Sequence, residues 1–354
     1  MAEPVLDEDK AMAFIGRVVA DCAAALSAPL VVLGDRLGLY QAMAFAGPLT
    51  AAEVAARADA SERYVREWLL NQTASGYVEY DPTTARYTLP DEHAVALTDD
   101  ASPLYVGGMF HIVQSITKAE PRIEQSFHTG DGMLWGEHDA ELFPATERLF
   151  RPGYLANLVS SWIPALNGVA AKLEAGARVA DVGCGHGAST LVLAHAFPKA
   201  TLTGFDNHAP SIEVARAAAE REGVADRVTF TVGSAQDYPG AGYDLVAFFD
   251  CLHDMGDPVG ALRRTARTLA PDGTVLIVEP MAPDHVEESV NPVSRFYSAG
   301  STLLCMPNAL ASGSLALGNQ VPEPMLRALA EEAGFTSFRR VAETPFNRVF
   351  EARR

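Results

Sequence analysis

The second half of the chain alternates continuous apolar runs with longer segments in which apolar residues recur every three or four positions. Continuous runs are typical of strands buried in a parallel sheet, and the periodic segments are typical of helices packed against it. The runs predict strands at 201–205, 228–232, 244–249, 274–278, 335–341 and 346–352, and the periodic segments predict helices at 191–197, 210–222, 257–269 and 323–333. The alternation predicts an α/β fold with a doubly wound, Rossmann-like sheet that binds its ligand at the carboxyl ends of the strands.

The first half of the chain has mainly helical periodicity. Residues 9–46 predict a helix that is apolar on several sides, which either packs in a core or contacts a second subunit. Residues 50–89 predict a winged helix: a short helix, a second helix capped by Ser61, and a hairpin around Asp81 and Pro82. Residues 101–172 add two helical stretches joined by a glycine-rich loop that carries Trp135, which is either a lid over substrate or a plain connection. We therefore expect a helical, winged-helix dimerisation domain at 1–100, a helical linker and lid at 101–172, and a ligand-binding α/β domain at 173–354.

A glycine-rich loop at 183–187 follows the predicted strand that ends at Asp181. Gly183, Gly185 and Gly187 stand at alternate positions, and such a loop turns sharply and lets a ligand lie against its backbone. Asp206 closes the next predicted strand, where an acid can hold ribose hydroxyls. The loop also fits a dinucleotide pattern, so NAD stays an alternative. The full D-x-G-x-G-x-G form, with Asp181 placed to meet a ligand ammonium, favours S-adenosylmethionine.

The loop after the strand 244–249 reads DCLHDMGDP and collects polar side chains at the mouth of the predicted cofactor crevice. His253 has an ordinary pKa of about 6.5, which suits it to take a proton from a hydroxyl. Glu279 ends the neighbouring predicted strand and is expected to orient the imidazole. This constellation needs no metal, and Asp250 in the same loop is expected beside the cofactor.

Charge and cysteine content limit the partners. The net charge of −18 argues against a polyanion as the main partner. The winged-helix segment 50–98 itself holds eight acids and four arginines, whereas a recognition helix needs a basic surface. Four scattered cysteines suggest neither a zinc site nor a disulfide framework, and the start of the chain is acidic. The apolar run 22–34 contains Pro29 and is too short to span a bilayer, so we expect a cytoplasmic protein that binds neither nucleic acid nor membrane.

These motifs together resemble the class I S-adenosylmethionine-dependent methyltransferases, specifically the winged-helix O-methyltransferase type, and within it a bacterial subgroup sometimes labelled transcriptional regulators. The resemblance covers nearly the whole chain and is carried by DVGCGHG, LHDMGD, VEP, NPVSRFY and the closing EEAGF segment. It implies a homodimer that methylates a small molecule. It also implies His253 as general base, with Glu279 as the acid that flanks it. Many relatives have a second flanking acid before the EAGF helix, where this chain has Gln320.

The resemblance also assigns ligand contacts. The expected cofactor-binding residues are Asp181, Gly183, Gly185, Gly187, Asp206, Ser234, Asp237 and Asp250, with Ser234 or Asp237 meeting the adenine. The expected substrate-binding residues are Trp135, Arg295, Phe296, Tyr297, Met306 and Asn308. The leading hypothesis is methyl transfer to a hydroxyl of an aromatic or polyketide-like compound. The alternatives are an N- or C-methyltransferase on the same fold, or a winged-helix regulator that senses S-adenosylmethionine or a metabolite.

Overall fold

The computed structural model describes residues 6–354, which form two compact units that divide after Gln114. The division falls inside the segment 101–172 that was predicted as a helical linker and lid. The helices are α1 Glu8–Arg36, α2 Leu39–Met43, α3 Ala51–Arg57, α4 Glu62–Ala74, α5 Asp91–Thr98, α6 Gly107–Thr117, α7 Glu120–Thr129, α8 Leu142–Asn157, α9 Ile163–Ala165, α10 Val169–Ala175, α11 Ala188–Ala196, α12 Ala209–Arg221, α13 Pro258–Thr268, α14 Pro292–Gly300, α15 Met306–Ser312 and α16 Glu323–Glu332. The strands are β1 Glu79–Asp81, β2 Arg86–Thr88, β3 Arg178–Val182, β4 Thr201–Asp206, β5 Val228–Val232, β6 Tyr243–Phe249, β7 Leu269–Pro280, β8 Ser337–Glu343 and β9 Asn347–Arg353.

The first unit contains the predicted winged helix. Thr50 and Glu53 form a reciprocal capping box that starts α3, and Ser61 stands at the N-cap of α4 without a capping side-chain bond. Strands β1 and β2 pair antiparallel as the predicted hairpin. The single helix predicted over 9–46 is instead two helices, because Gly38 adopts a left-handed backbone with φ of 68° and separates α1 from α2.

Helix α1 presents much apolar surface that its own unit leaves exposed. Its exposed large apolar side chains are Met12, Phe14, Ile15, Val18, Val19, Leu26 and Leu33. The helix continues through Pro29 and, by length and composition alone, is long and apolar enough to cross a membrane, which corrects the expectation that this stretch is too short. Core helices and N-terminal signal sequences meet the same criterion, so the observation assigns no location.

The second unit is built on a seven-stranded sheet in the order β5-β4-β3-β6-β7-β9-β8. Strands β3 to β7 are parallel, and β9 pairs antiparallel with both β7 and β8. One face of the sheet packs on α10, α11 and α12, and the other packs on α13 and α16. The predicted doubly wound sheet is confirmed by this order and by the helices that cover both faces, and the central strands β3, β6 and β7 carry the continuous apolar runs that two covered faces require.

The helices that precede the sheet are more broken than their periodicity predicts. The stretch predicted over 106–123 is divided between α6 and α7, and the stretch predicted over 143–173 contains α8, a π-helical turn at Leu158–Trp162, α9 and α10. Helix α8 brings its aromatic side chains to the carboxyl edge of the sheet, where Phe150 packs on Tyr154 and Tyr154 packs on Phe249 of β6. This placement makes α8 one wall of the cavity described next.

Candidate active site

The glycine loop lies between the carboxyl end of β3 and α11, and its three glycines serve different purposes. Gly183, Gly185 and Gly187 have φ values of 81°, 51° and 83°, which residues other than glycine rarely adopt. A Cβ at Gly183 would lie 2.7 Å from the Cys251 sulfur, and one at Gly187 would lie 2.5 Å from the Phe230 ring. A Cβ at Gly185 would meet nothing within 4 Å. The outer glycines therefore allow close packing of the protein, and Gly185 leaves open space for a ligand.

Asp206 ends β4 beside this loop, as the sequence predicts. Its Oδ2 accepts a hydrogen bond from the Gly185 amide at 2.9 Å, and its Oδ1 accepts one from the His208 amide at 2.8 Å. Burial raises the pKa of Asp206, and the two amide bonds oppose that rise. Each oxygen keeps a further lone pair, so the carboxylate is held in position with acceptor capacity for a pair of ligand hydroxyls.

Asp181 lies beneath the loop and not on the cavity wall. It is fully buried, and its Oδ2 accepts hydrogen bonds of 2.6 Å from the hydroxyls of both Ser189 and Thr190 at the start of α11. Burial raises its pKa to about 6. The carboxylate thus joins β3 to α11, and the expected contact with a ligand ammonium stays a prediction. Its Oδ1 is buried without a hydrogen-bond partner, which leaves one acceptor atom under the loop.

A single cleft of about 1240 Å³, solvent at its mouth included, connects the glycine loop with the end of β6. Of the predicted cofactor-binding residues, the cleft is lined by Gly183, Gly185, Asp206, Ser234 and Asp250. Gly187 and Asp237 do not line it, and Asp237 is exposed. Of the two alternatives for the adenine contact, the fold therefore brings Ser234 to the cleft. Ala235 and Gln236 also line it, and the sequence did not single them out.

The His253 turn lies beside Glu279, as the predicted sheet topology requires. The imidazole Nδ1 lies 2.6 Å from Glu279 Oε2, and the His253 amide donates to Glu279 Oε1 at 3.3 Å. The other ring nitrogen, Nε2, lies 3.2 Å from Asp254 Oδ1. Both His253 and Glu279 are buried and only Asp254 lines the cleft. The general-base role of His253 stays a prediction, and Asp254 stands between its ring and the cleft.

Two carboxylates set the protonation of His253. Burial by itself lowers the pKa of the imidazole, but the charges of Asp254 and Glu279 outweigh it and raise the pKa well above its ordinary value. The Cys305 sulfur completes a group of nitrogen, oxygen and sulfur atoms that lie within 4.8 Å of one another. Burial raises the pKa of the Cys305 thiol to about 12, so a metal ion would have to displace protons from both the thiol and the imidazole.

Gln320 does not flank His253. Its amide donates to the backbone oxygens of Met281 and Asn319, each at 3.2 Å. The buried cation near Glu279 is Arg348, which lies opposite Glu279 in the register of β7 and β9. Its guanidinium donates to the backbone oxygens of Pro280 and Val321. The sequence does not single out Arg348, because the burial of its guanidinium depends on the packing of β9 between β7 and β8.

Two of the six predicted substrate-binding residues line the cleft. Asn308 accepts from the Trp135 amide at 2.8 Å and donates to the Asp254 backbone oxygen at 3.0 Å, so it joins the Trp135 loop to the His253 turn. The other four, which lie on α14 and at the start of α15, do not line it: Arg295, Phe296, Tyr297 and Met306. Arg295 is exposed, and the Tyr297 hydroxyl donates to the backbone oxygen of Phe346. Half of the aromatic residues that line the cleft come from α8, namely Phe143, Phe150 and Tyr154; the others are Trp135, Phe205 and Phe249.

Comparisons with known proteins agree with this architecture. The family described as "Methyltransferase domain" matches residues 173–322, and the family described as "Rv2258c-like winged HTH domain" matches residues 24–99. Among solved structures, a candidate O-methyltransferase of Nostoc punctiforme PCC 73102 superposes with a TM-score of 0.73 at 21% identity, over 99% of this chain and 100% of that one. Human N-acetylserotonin methyltransferase, solved with S-adenosylmethionine, superposes with a TM-score of 0.68 at 20% identity, over 100% and 99%. At these identities the likeness shows the class I methyltransferase fold.

Curated relatives match over the same domain. The 27-O-demethylrifamycin SV methyltransferase of Amycolatopsis mediterranei (strain S699) is 31% identical over 155 residues, which are 43% of this chain and 50% of that protein. In two further curated relatives the matched segment is 24% and 46% of their length. The chain thus spans at most half the length of these relatives, and the activity of the whole chain is a matter of proposal.

Proposed function

We propose that this chain, which joins a winged HTH domain to a class I methyltransferase domain, is an S-adenosylmethionine-dependent methyltransferase acting on a hydroxyl of a small aromatic or polyketide-like molecule. One observation carries the proposal: a single cleft has Asp206 at the glycine loop and the His253 turn at its other end. The first can hold a ribose, and the second can receive a proton from the acceptor.

The cleft fits S-adenosylmethionine by its own geometry. Gly185 leaves open space where any side chain would protrude, and Asp206 is fixed with spare acceptor capacity. When bound, this cofactor supplies a sulfonium-activated methyl group. The protein then has to position the acceptor and remove one proton. His253, oriented by Glu279, is the proposed base. Asp254, which lies beside the imidazole Nε2, is the residue of this turn that lines the cleft where the acceptor would bind.

The test has a binding stage and a transfer stage. Calorimetric titration of the full chain should show micromolar binding of S-adenosylmethionine and none of NAD. Transfer of a radiolabelled methyl group to a panel of phenols and hydroxylated polyketides should then identify acceptors of the proposed class. Binding of NAD alone, or of neither compound, would refute the proposal. Methylation only of amines or carbon acids would keep the cofactor and replace the acceptor.

A regulatory role has one observation in its favour, the winged HTH match. The charges of the unit oppose it. On α4, Arg63 and Arg66 pair with Glu67 and Glu62 one turn away, so these arginines are neutralised on their own helix. We propose that the unit serves dimerisation. A gel-shift assay that shows salt-sensitive, sequence-selective DNA binding would reinstate the regulator.

We also propose that the exposed apolar side of α1 packs against a second copy of the chain, and that the enzyme works in the reducing cytoplasm with its four cysteines free. Light scattering after size exclusion should give a dimer. Ile15→Glu on α1 should give a monomer, and Val290→Glu, at an exposed site of the second unit, should leave the dimer intact. Co-sedimentation of the chain with lipid vesicles would assign the apolar side to a membrane instead.

A further inference from the structure

Asp250 occupies a strained position at the centre of the cleft wall. It follows the last residue of β6 and has a left-handed backbone, with φ of 52°, which is uncommon for a residue other than glycine. Its amide donates to the Val278 oxygen, so the neighbouring strand holds this conformation. Its side chain lines the cleft although it is only 8% exposed. Strain of this kind persists where the surrounding structure fixes it, and such residues cluster at functional sites.

Two neutral donors fix the carboxylate of Asp250. The Tyr154 hydroxyl of α8 donates to Oδ2 at 3.0 Å, and the Asn347 amide of β9 donates to Oδ1 at 2.7 Å. These donors come from elements far away in the sequence, α8 and β9. They orient the carboxyl group and bring no positive charge to it, so a cation in the cleft would supply the charge that favours its ionised form.

The electrostatic surroundings of Asp250 oppose its ionisation. Burial raises the pKa of its carboxyl to about 8, and the Glu279 charge adds to that rise. The titratable groups that face it are Tyr154 of α8, His253 and Asp254 of the following turn, Glu279 of β7 and Tyr297 of α14. Only His253 among them carries positive charge. At neutral pH the carboxyl is therefore mostly protonated until another cation arrives.

The strand order places Asp250 where a transferred group must lie. Asp206 ends β4, the glycine loop follows β3, Asp250 follows β6, and Glu279 is the last residue but one of β7. These four strands are consecutive in the sheet. A cofactor whose ribose lies at Asp206 must reach past the glycine loop to bring its methyl group to the His253 turn. Asp250 lies between the glycine loop and the His253 turn on this path. The rings of Tyr154 and Phe249, with centroids 5.3 Å apart, lie beside it. Aromatic faces also attract cations.

We propose that Asp250 distinguishes the charged methyl donor from its neutral product, by setting its carboxylate against the sulfonium of S-adenosylmethionine. S-adenosylhomocysteine has the same ribose and the same ammonium but no positive sulfur. The inference rests on the proposed function, because it presupposes this cofactor. Its consequence is that binding of the donor releases a proton from Asp250 to solvent, and that loss of the sulfonium charge lets the carboxyl take a proton back and weakens the hold on the product.

The experiment is calorimetric titration of the full chain with S-adenosylmethionine, S-adenosylhomocysteine and sinefungin, which carries an amine in place of the sulfonium. For Asp250→Asn we expect at least a tenfold loss of affinity for the two ligands charged at this position and a change of no more than about threefold for S-adenosylhomocysteine. The matched control is Asp206→Asn, which should weaken all three ligands by a similar factor because all three contain the ribose. Equal losses for the charged and neutral ligands in Asp250→Asn would overturn the inference.

Two further measurements protect the test against a folding defect. Repeating the titrations at pH 7 in buffers of different ionisation enthalpy should reveal proton release with S-adenosylmethionine and much less with S-adenosylhomocysteine. Tyr154→Phe removes one donor to the carboxylate and should weaken S-adenosylmethionine at pH 7, with recovery at pH 9 as Asp250 ionises. Absence of both the proton release and the pH-dependent recovery would also overturn it. If wild type binds neither ligand, the proposed function itself fails, which is a different result.

Discussion

The two ends of the cleft hold their polar groups in different ways. At the glycine-loop end, Asp206 is fixed by backbone amides of Gly185 and His208. At the acceptor end, side chains are fixed by other side chains: His253 by Glu279, and Asp250 by Tyr154 and Asn347. Backbone amides stay in place when a side chain is replaced, but a network of side chains loses its geometry with one member. The first end should therefore tolerate substitution near it better than the second.

The largest effect is expected at the acceptor end. His253→Ala should lower kcat for methyl transfer about 10²- to 10⁴-fold, because it removes the proposed proton acceptor, while the affinity for S-adenosylmethionine stays unchanged. Steady-state kinetics with an acceptor from the panel, together with calorimetry, measures both. His195→Ala is the control, since His195 pairs with Glu222 on the surface of the same unit. A fall in cofactor affinity that matches the fall in kcat would mean that His253 also supports cofactor binding, so the two ends would not act independently.

The next effect tests the glycine-loop end. Gly187→Ala should lower the free energy of unfolding by about 2–4 kcal/mol, because its left-handed backbone and the Phe230 ring both oppose a Cβ. Gly185→Ala meets only the backbone penalty and should cost about 1–2 kcal/mol, with a larger loss of S-adenosylmethionine affinity because its methyl group enters the cleft. Chemical denaturation and calorimetry compare the pair. Equal losses of stability would contradict the distinct roles of the two glycines.

The smallest effect is a shift in pH dependence. A base works in its unprotonated form, and the pKa of His253 is raised, so the wild-type rate should increase as pH rises above 6.5 toward the alkaline range. Glu279→Gln removes one of the two charges that raise this pKa, so the rising limb should move to lower pH, with a lower plateau because the ring is oriented less well. Rate profiles over pH 6–10 measure the limb. A limb that stays in place would show that Glu279 does not control the protonation of the base.

The sequence predicts the sheet well because its signal is local. Strand β5 has the predicted bounds, β6 differs by one residue, and Asp257 caps α13 through a bond from the Gly260 amide, as Asp257-Pro258 indicates. The helical first half is predicted less well. Periodicity shows that residues 9–46 and 143–173 are helical, but it does not show where Gly38 or the turn at Leu158–Trp162 interrupts them.

The site is predictable to the extent that topology alone brings its residues together. Asp206 and Glu279 lie at the carboxyl ends of β4 and β7, and His253 lies in the turn after β6, so the parallel sheet puts them at one edge. Tyr154 lies on a helix far upstream, where an aromatic in an apolar stripe has the pattern of ordinary core. Tyr297 shows the converse difference: the motif around it suggests substrate binding, but its ring is buried and its hydroxyl donates to a backbone oxygen, so its substrate contact stays a prediction. Such pairings depend on packing between distant elements.

Asn308 gives the acceptor end one more property. Its single amide accepts from the backbone of Trp135 and donates to the backbone of Asp254, so it joins the Trp135 loop to the turn that carries the proposed base. A bulky acceptor that pushes the Trp135 loop outward also pulls on the Asp254 peptide. Under the proposed function, size selection would then be expressed as a slower turnover of acceptors that still bind, so a screen that scores binding alone would overestimate the range of substrates.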